Sequence, residues 1–121
     1  MKTVTGTKPL HILILEDNRA DQELSLRAFR DDPDKYRVSM AENLESARQI
    51  LECDPPDLII ADWNLPDGNG MEILPRSDGM ATIPLVIMTG YGNELLAVES
   101  IKSGAMDYVV KSAAMLYPLQ N

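Results

Sequence analysis

Short apolar runs and helical stripes alternate along the chain. Leu10-His11-Ile12-Leu13-Ile14-Leu15 is a continuous run, the pattern of a strand buried on both faces, and it stops abruptly at Glu16-Asp17-Asn18. Ala20, Leu24 and Ala28 then recur at helical spacing with Phe29 alongside, and Asn18 is placed to cap that helix. Asp31-Asp32-Pro33 ends it, because the residue before a proline avoids the helical region. Tyr36 to Met40 alternates as an edge strand. Leu44, Ala47 and Leu51 mark a second helix, which stops before Pro55-Pro56. Leu58-Ile59-Ile60-Ala61 is a second buried run and ends on Asp62. After the turn-rich stretch from Asn64 to Gly70, Asn69 and Glu72 read as a capping box opening a third helix. Pro75 should keep that helix short or kinked. Leu85-Val86-Ile87-Met88 is a third run, ending on Thr89-Gly90. Leu95, Ala97, Val98 and Ile101 predict the apolar face of a fourth helix, with Gly104 just past its end. Tyr108-Val109-Val110 is the last strand and ends on Lys111.

Strand and helix in regular alternation predict a parallel sheet with helices on both faces. A chain of 121 residues is one domain of this kind and too short for an eightfold barrel, which needs about 250. Residues 1–9 read as a tail and residues 10–121 as the domain. Ser112 to Asn121 is too short for a full fifth helix and contains Pro118, so that helix is expected to be incomplete and the chain to be cut from a longer protein.

Composition narrows the partners. The chain carries 11 Lys and Arg against 19 Asp and Glu, a formal charge of −8, and its basic residues are scattered. Phosphate backbones and anionic membranes both select clustered Lys and Arg, so neither is an expected partner. No apolar run approaches the roughly 20 residues that cross a bilayer, and Met1 to Pro9 has no signal-peptide core. The one cysteine, Cys53, cannot form an internal disulfide, which suits a reducing cytoplasm, the expected location.

The candidate chemistry sits where buried strands stop. Ligands of open parallel sheets bind beyond the carboxyl ends of the strands. Here those ends carry Glu16-Asp17, Asp62, Thr89 and Lys111. Taken singly each has an ordinary explanation: acids at a helix start, a turn aspartate, a solvated lysine. Together they have another. Three carboxylates in one pocket repel unless a cation intervenes, and Mg2+ takes oxygen ligands and accepts phosphate oxygens beside them. Lys111 adds a positive charge and the Thr89 hydroxyl a donor toward phosphoryl oxygens. Asp62 stands alone at the end of a central strand and is the favoured nucleophile, whereas Glu16-Asp17 works as a metal-holding pair. His11, near the other end of its strand, is expected to be structural, Cys53 a plain helix-end thiol, and the methionines core filler.

With Glu16-Asp17-Asn18, Asp62-Trp63-Asn64-Leu65-Pro66 followed by Gly68 and Gly70, Thr89-Gly90, and Tyr108-Val109-Val110-Lys111 all in order, the sequence resembles the receiver domain of two-component response regulators, the single-domain chemotaxis regulators included. The resemblance covers Leu10 to about Met115. It implies a flavodoxin-like, doubly wound five-stranded sheet of order 2-1-3-4-5. It further implies Asp62 as phospho-acceptor, Mg2+ held by Glu16, Asp17, Asp62 and the backbone carbonyl of Asn64, and Thr89 and Lys111 as phosphoryl contacts. Thr89 and Tyr108 would form a switch pair that alters the face built from the fourth helix, fifth strand and fifth helix. The implied function is a phospho-acceptor in a His-Asp phosphorelay, a switch rather than a turnover enzyme. The implied partners are a histidine kinase or phosphotransfer protein, with an output or kinase domain beyond Asn121 and a homodimer through the switch face as further expectations.

Three features depart from the family. Ser112 stands where a proline usually follows the lysine, so the 111–112 peptide is expected trans. The span from Asp62 to Thr89 is slightly short, which predicts a trimmed third helix or loop. The fifth helix is curtailed. Tyr91 and Asn64 are candidates for tuning hydrolysis by controlling water access, with an ordinary surface tyrosine the alternative for Tyr91. Two rival readings are a Mg2+-dependent phosphohydrolase with an aspartyl nucleophile and a receiver-like interaction module that takes no phosphate. The first lacks a cap domain and a second acid placed as acid/base after Asp62; the intact acid pair, Asp62, Thr89 and Lys111 argue against the second.

Overall fold

A computed structural model of the chain describes residues 8–90 and 94–111. Five parallel strands form its sheet: β1 (Leu10–Leu15), β2 (Tyr36–Ala41), β3 (Leu58–Asp62), β4 (Leu85–Thr89) and β5 (Asp107–Val110), in the order β2-β1-β3-β4-β5. Each apolar run of the sequence is therefore a strand, and the order 2-1-3-4-5 is the expected one. The helices are α1 (Arg19–Arg30), α2 (Leu44–Cys53) and α3 (Glu94–Lys102).

Local chemistry sets the helix ends. The Asn18 side chain accepts the Asp21 N–H at the start of α1, and the Asn43 side chain accepts the Ser46 N–H at the start of α2. These caps satisfy N–H groups that the first helical turn leaves without a partner. At the end of α3 the Gly104 N–H reaches the Ile101 carbonyl and the Ala105 N–H reaches the Ser100 carbonyl, with Gly104 at φ +114°. That paired closure needs the left-handed backbone region, and glycine enters it without strain.

The main core lies on the α2 side of the sheet. Leu13, Leu15, Ile59, Ala61, Leu85 and Ile87 pack there against Ala41, Leu44, Ala47, Ile73, Leu74 and Ala105. Ile60 and Val86 are half-buried, and with Ser25, Ala28, Phe29, Met88 and Val109 they line an apolar cavity of about 170 Å³.

Four expectations are corrected. The capping box at Asn69 and Glu72 is present, but it opens a short 3-10 turn, Gly70–Ile73, in place of a third α-helix. Pro75 follows at once, and the chain turns back through a two-residue ribbon of Arg76–Ser77 against Met80–Ala81. A shortened crossover with a proline inside it has no room for another helical turn. In α1, Leu24 and Phe29 are half-buried, whereas Ala20 and Ala28 are exposed and Ser25 is buried. In α3, Leu95, Val98 and Ile101 face outward at 70, 50 and 46% exposure, and Ser100 is buried instead. Apolar residues lie on several sides of that helix, so its periodicity does not single out one face. Met88 is buried but Met80 and Met106 are exposed, so the methionines are not uniformly core. The fifth helix, the 111–112 peptide and Tyr91 lie outside the described residues. Among those described, no helix is long and apolar enough to cross a membrane.

The end of the sheet away from the acids is closed by polar contacts. His11 is buried, its Nε2 is 2.7 Å from Ser39 Oγ, and its backbone N–H donates to Asp57. Cys53 is an exposed thiol at the last position of α2. Arg37 on β2 donates to both oxygens of Asp54 at 2.6 and 3.1 Å. This guanidinium, against a weaker effect of burial, holds the Asp54 carboxyl below its ordinary range. A depressed carboxyl contributes stability above its unfolded pKa and loses it as pH falls through the folded value. Arg37→Ala should therefore lower the thermal midpoint slightly near neutral pH in low salt. The difference from the parent should shrink as pH falls below the ordinary aspartate range, as followed by circular dichroism melts.

Candidate functional site

Register and pleat decide which side chains meet. Successive residues of a strand point to opposite faces, and partners in a parallel ladder share a face. Ile14 pairs with Ile60, Ile60 with Val86, and Met88 with both Asp62 and Val109. Continuing that alternation past the strand ends puts Glu16, Asp62 and Lys111 on the α1 side. Thr89 and Tyr108 belong to the other face, since Tyr108 pairs with Ile87 and Thr89 lies two residues beyond it. Thr89 is buried, and half-buried Tyr108 packs against the α2-side core.

One ammonium group organises the α1 side. Lys111 Nζ donates to Glu16 Oε1 at 2.7 Å, Asp21 Oδ2 at 2.8 Å and Asp62 Oδ2 at 3.1 Å. A lysine has three N–H donors, so all three are used. Burial pulls the Lys111 pKa down, but the hydrogen bonds to Asp21, Glu16 and Asp62 outweigh it, and the group is held above the ordinary lysine value. Glu16 shows the opposing pull. Burial drives its carboxyl up, the bonds from Lys111 and the Asn18 N–H draw it down, and the Asp62 charge adds to the rise. The balance leaves Glu16 above the ordinary carboxylate value.

Glu16, Asp17 and Asp62 each offer an oxygen, and the three oxygens lie within 4.8 Å of one another. Mg2+ binds oxygens at about 2.0–2.1 Å, so ligands on opposite sides of one ion stand about 4.2 Å apart. Three oxygens gathered this closely can serve as neighbouring ligands of one such ion once their side chains draw in around it. The all-oxygen chemistry of the set fits a hard divalent cation. Asn64 follows in a two-residue ribbon with Asn69, and its N–H donates to Asp62 Oδ1 at 3.3 Å.

Glycine is required just behind the nucleophile candidate. A Cβ on Gly70 would lie 2.5 Å from the Asp62 carbonyl oxygen, and the Gly70 N–H bonds the Trp63 carbonyl.

The structure thus brings Glu16, Asp17, Asp62 and Lys111 together and sets Thr89 at the same sheet edge. It adds a residue that sequence reasoning missed. Asp21, in the first turn of α1, reaches Lys111 across 90 positions of chain. Its only sequence signal is a place four residues after Asp17, and an acid at a helix start is common for other reasons.

Residues 12–116 match the response regulator receiver domain, and the chain belongs to that family. The methanogenesis regulatory protein FilR1 of Methanothrix harundinacea is 38% identical over 106 residues, covering 84% of this chain and 24% of that protein. The TorCAD operon transcriptional regulatory protein TorR of Escherichia coli O157:H7 is 32% identical over 103 residues, covering 85% of this chain and 44% of its own. The chain therefore spans less than half the length of these relatives. Among solved structures, the phosphorylated cyanobacterial phytochrome response regulator RcpA matches with a TM-score of 0.80 at 25% identity, over 92% of this chain and 88% of that one. The Mn2+-bound form of response regulator Rcp1 shares the fold, with a TM-score of 0.79 at 23% identity, over 93% of this chain and 92% of that one.

Removing the ammonium should expose the repulsion it screens. Lys111→Met should cost roughly 2–3 kcal/mol in metal-free buffer, below the range for a fully buried pair because water reaches this cleft. Added Mg2+ should raise its thermal midpoint more than that of the parent, since the cation no longer competes with Lys111. Both are read from melts with and without millimolar Mg2+.

Proposed function

We propose that this receiver domain takes a phosphoryl group on Asp62, with Mg2+ held by Glu16, Asp17, Asp62 and the Asn64 backbone carbonyl. The observation that carries the reading is the convergence of Glu16, Asp21 and Asp62 on Lys111 Nζ, with Asp17 completing the oxygen set. When bound, the cation neutralises carboxylates and draws phosphoryl oxygens toward Asp62.

An Asp62 carboxylate oxygen attacks phosphorus, and the bond between phosphorus and the donor's imidazole nitrogen breaks. The product is an acyl phosphate and a free imidazole. Lys111 exchanges its Asp62 contact for a phosphoryl oxygen and keeps Glu16 and Asp21, so its charge stays in place while negative charge builds. Thr89 donates its hydroxyl to the phosphoryl group from the neighbouring strand. Tyr108 shares the Thr89 face of the sheet, so movement of that hydroxyl is felt by the ring behind it, the bistable element of the switch. Water later cleaves the acyl phosphate, so the domain acts on itself and turns over no separate substrate.

The partners follow from this chemistry. A histidine kinase or phosphotransfer protein supplies the phosphoryl group, in the cytoplasm, and a further output or kinase domain, or a second copy of the chain, reads the result. The reading surface is the α3–β5 face, where Leu95, Val98, Ile101, Met106 and Val110 are exposed.

Acetyl phosphate or phosphoramidate with Mg2+ should add the mass of one phosphoryl group to the intact protein. Asp62→Asn should abolish the adduct. Persistent labelling of that variant would put the nucleophile elsewhere, and no labelling of the parent chain would overturn the reading.

A further inference from the structure

The loop that leaves the site is clamped to a helix it does not adjoin in sequence. Asp67 Oδ1 accepts the Leu44 N–H at 2.8 Å and its Oδ2 accepts the Glu45 N–H at 3.1 Å. These are the first two N–H groups of α2, whose own cap, Asn43, serves only the next one, Ser46. Water could satisfy the Glu45 N–H, because that residue is exposed. The Leu44 N–H, on a fully buried residue, has no such recourse, so one carboxylate completes the helix end and gives the loop a fixed point.

Packing presses the loop against the same place. A Cβ on Gly68 would lie 2.7 Å from Leu44 Cδ1 and 2.5 Å from Glu72 Oε2, and Leu44 is fully buried. The Asp67 carboxyl is held below its ordinary range, chiefly by the Leu44 N–H and against burial. Asn64 stands three residues before Asp67, in the ribbon whose other strand, Gly68–Asn69, directly follows it.

We infer that Asp67 is a positioning residue for the cation site: by gripping the first turn of α2 it fixes where the Asn64 backbone stands beside Asp62. The inference rests on the proposed reading that this backbone helps hold the cation. Residues that orient a ligand without touching the metal commonly change its affinity 10- to 100-fold. The chain has a single tryptophan, Trp63, next to Asp62, so its fluorescence reports on the site.

The test is titration of the full chain with Mg2+, followed by Trp63 fluorescence, with metal-free melts on the same samples. Asp67→Ala should weaken Mg2+ about ten-fold, and Asp67→Asn, which keeps one acceptor oxygen, about three-fold. Asn43→Ala is the control: it removes a cap from the same helix end and should lower the melting midpoint while moving the Mg2+ midpoint less than about two-fold. Parent-like affinity in both Asp67 variants overturns the inference, and so does an equal loss in Asn43→Ala, which would trace the effect to helix stability alone. If Asp67→Ala does not fold, the graded loss in Asp67→Asn decides. A parent chain with no saturable Mg2+ response fails the cation reading itself, a result distinct from any difference among variants, and overturns both.

Discussion

The structure turns on the contact between one ammonium group and three carboxylates. Four acids, Glu16, Asp17, Asp21 and Asp62, stand around Lys111. Without it, their mutual repulsion in a partly desolvated cleft would push the strand ends apart or force protonation. The lysine does not cancel the charge. It leaves an excess of negative oxygen, which is what a site must keep in order to attract a divalent ion. In the proposed reading, stability without metal and affinity for metal are set against each other in one cluster, and Lys111 holds the balance.

The sheet makes that cluster affordable. Its strand ends are far apart in sequence and adjacent in space because the ladder is parallel and every crossover returns to the same edge. The face carrying the acids is separated by the pleat from the face carrying Thr89 and Tyr108. The proposed chemistry at Asp62 and the proposed response at Tyr108 therefore lie on opposite sides of the same strands, with Thr89 at their shared edge. A geometry of this kind lets a local change of charge be felt on a surface that the phosphoryl group does not touch.

The shortened crossover between β3 and β4 shows how the site is supported when a helix is lost. A 3-10 turn with an intact capping box, a small ribbon and the Asp67 clamp take over the task of holding the loop behind Asp62. Gly68 and Gly70 are glycine because backbone and side chains of neighbouring elements come too close for a Cβ. The same segment borders a recess of about 640 Å³ beside Trp63 and α3.

Much was legible in the sequence. Strand positions, the polar stops at Glu16-Asp17, Asp62, Thr89 and Lys111, the helix cap at Asn18, and the turn glycine Gly104 are local features, encoded by neighbours within a few residues. The fold class and the sheet edge that gathers the polar residues followed from them. Tertiary structure alone decided the rest. It turned Leu95, Val98 and Ile101 outward, because a helix apolar on several sides carries no preference until it packs. It made a 3-10 turn where a capping box allowed a helix. It brought Asp21 to Lys111 and Asp67 to α2, contacts between residues far apart in the chain. Such contacts are set by strand register and packing against a shared core, and no local pattern of polar and apolar residues specifies them.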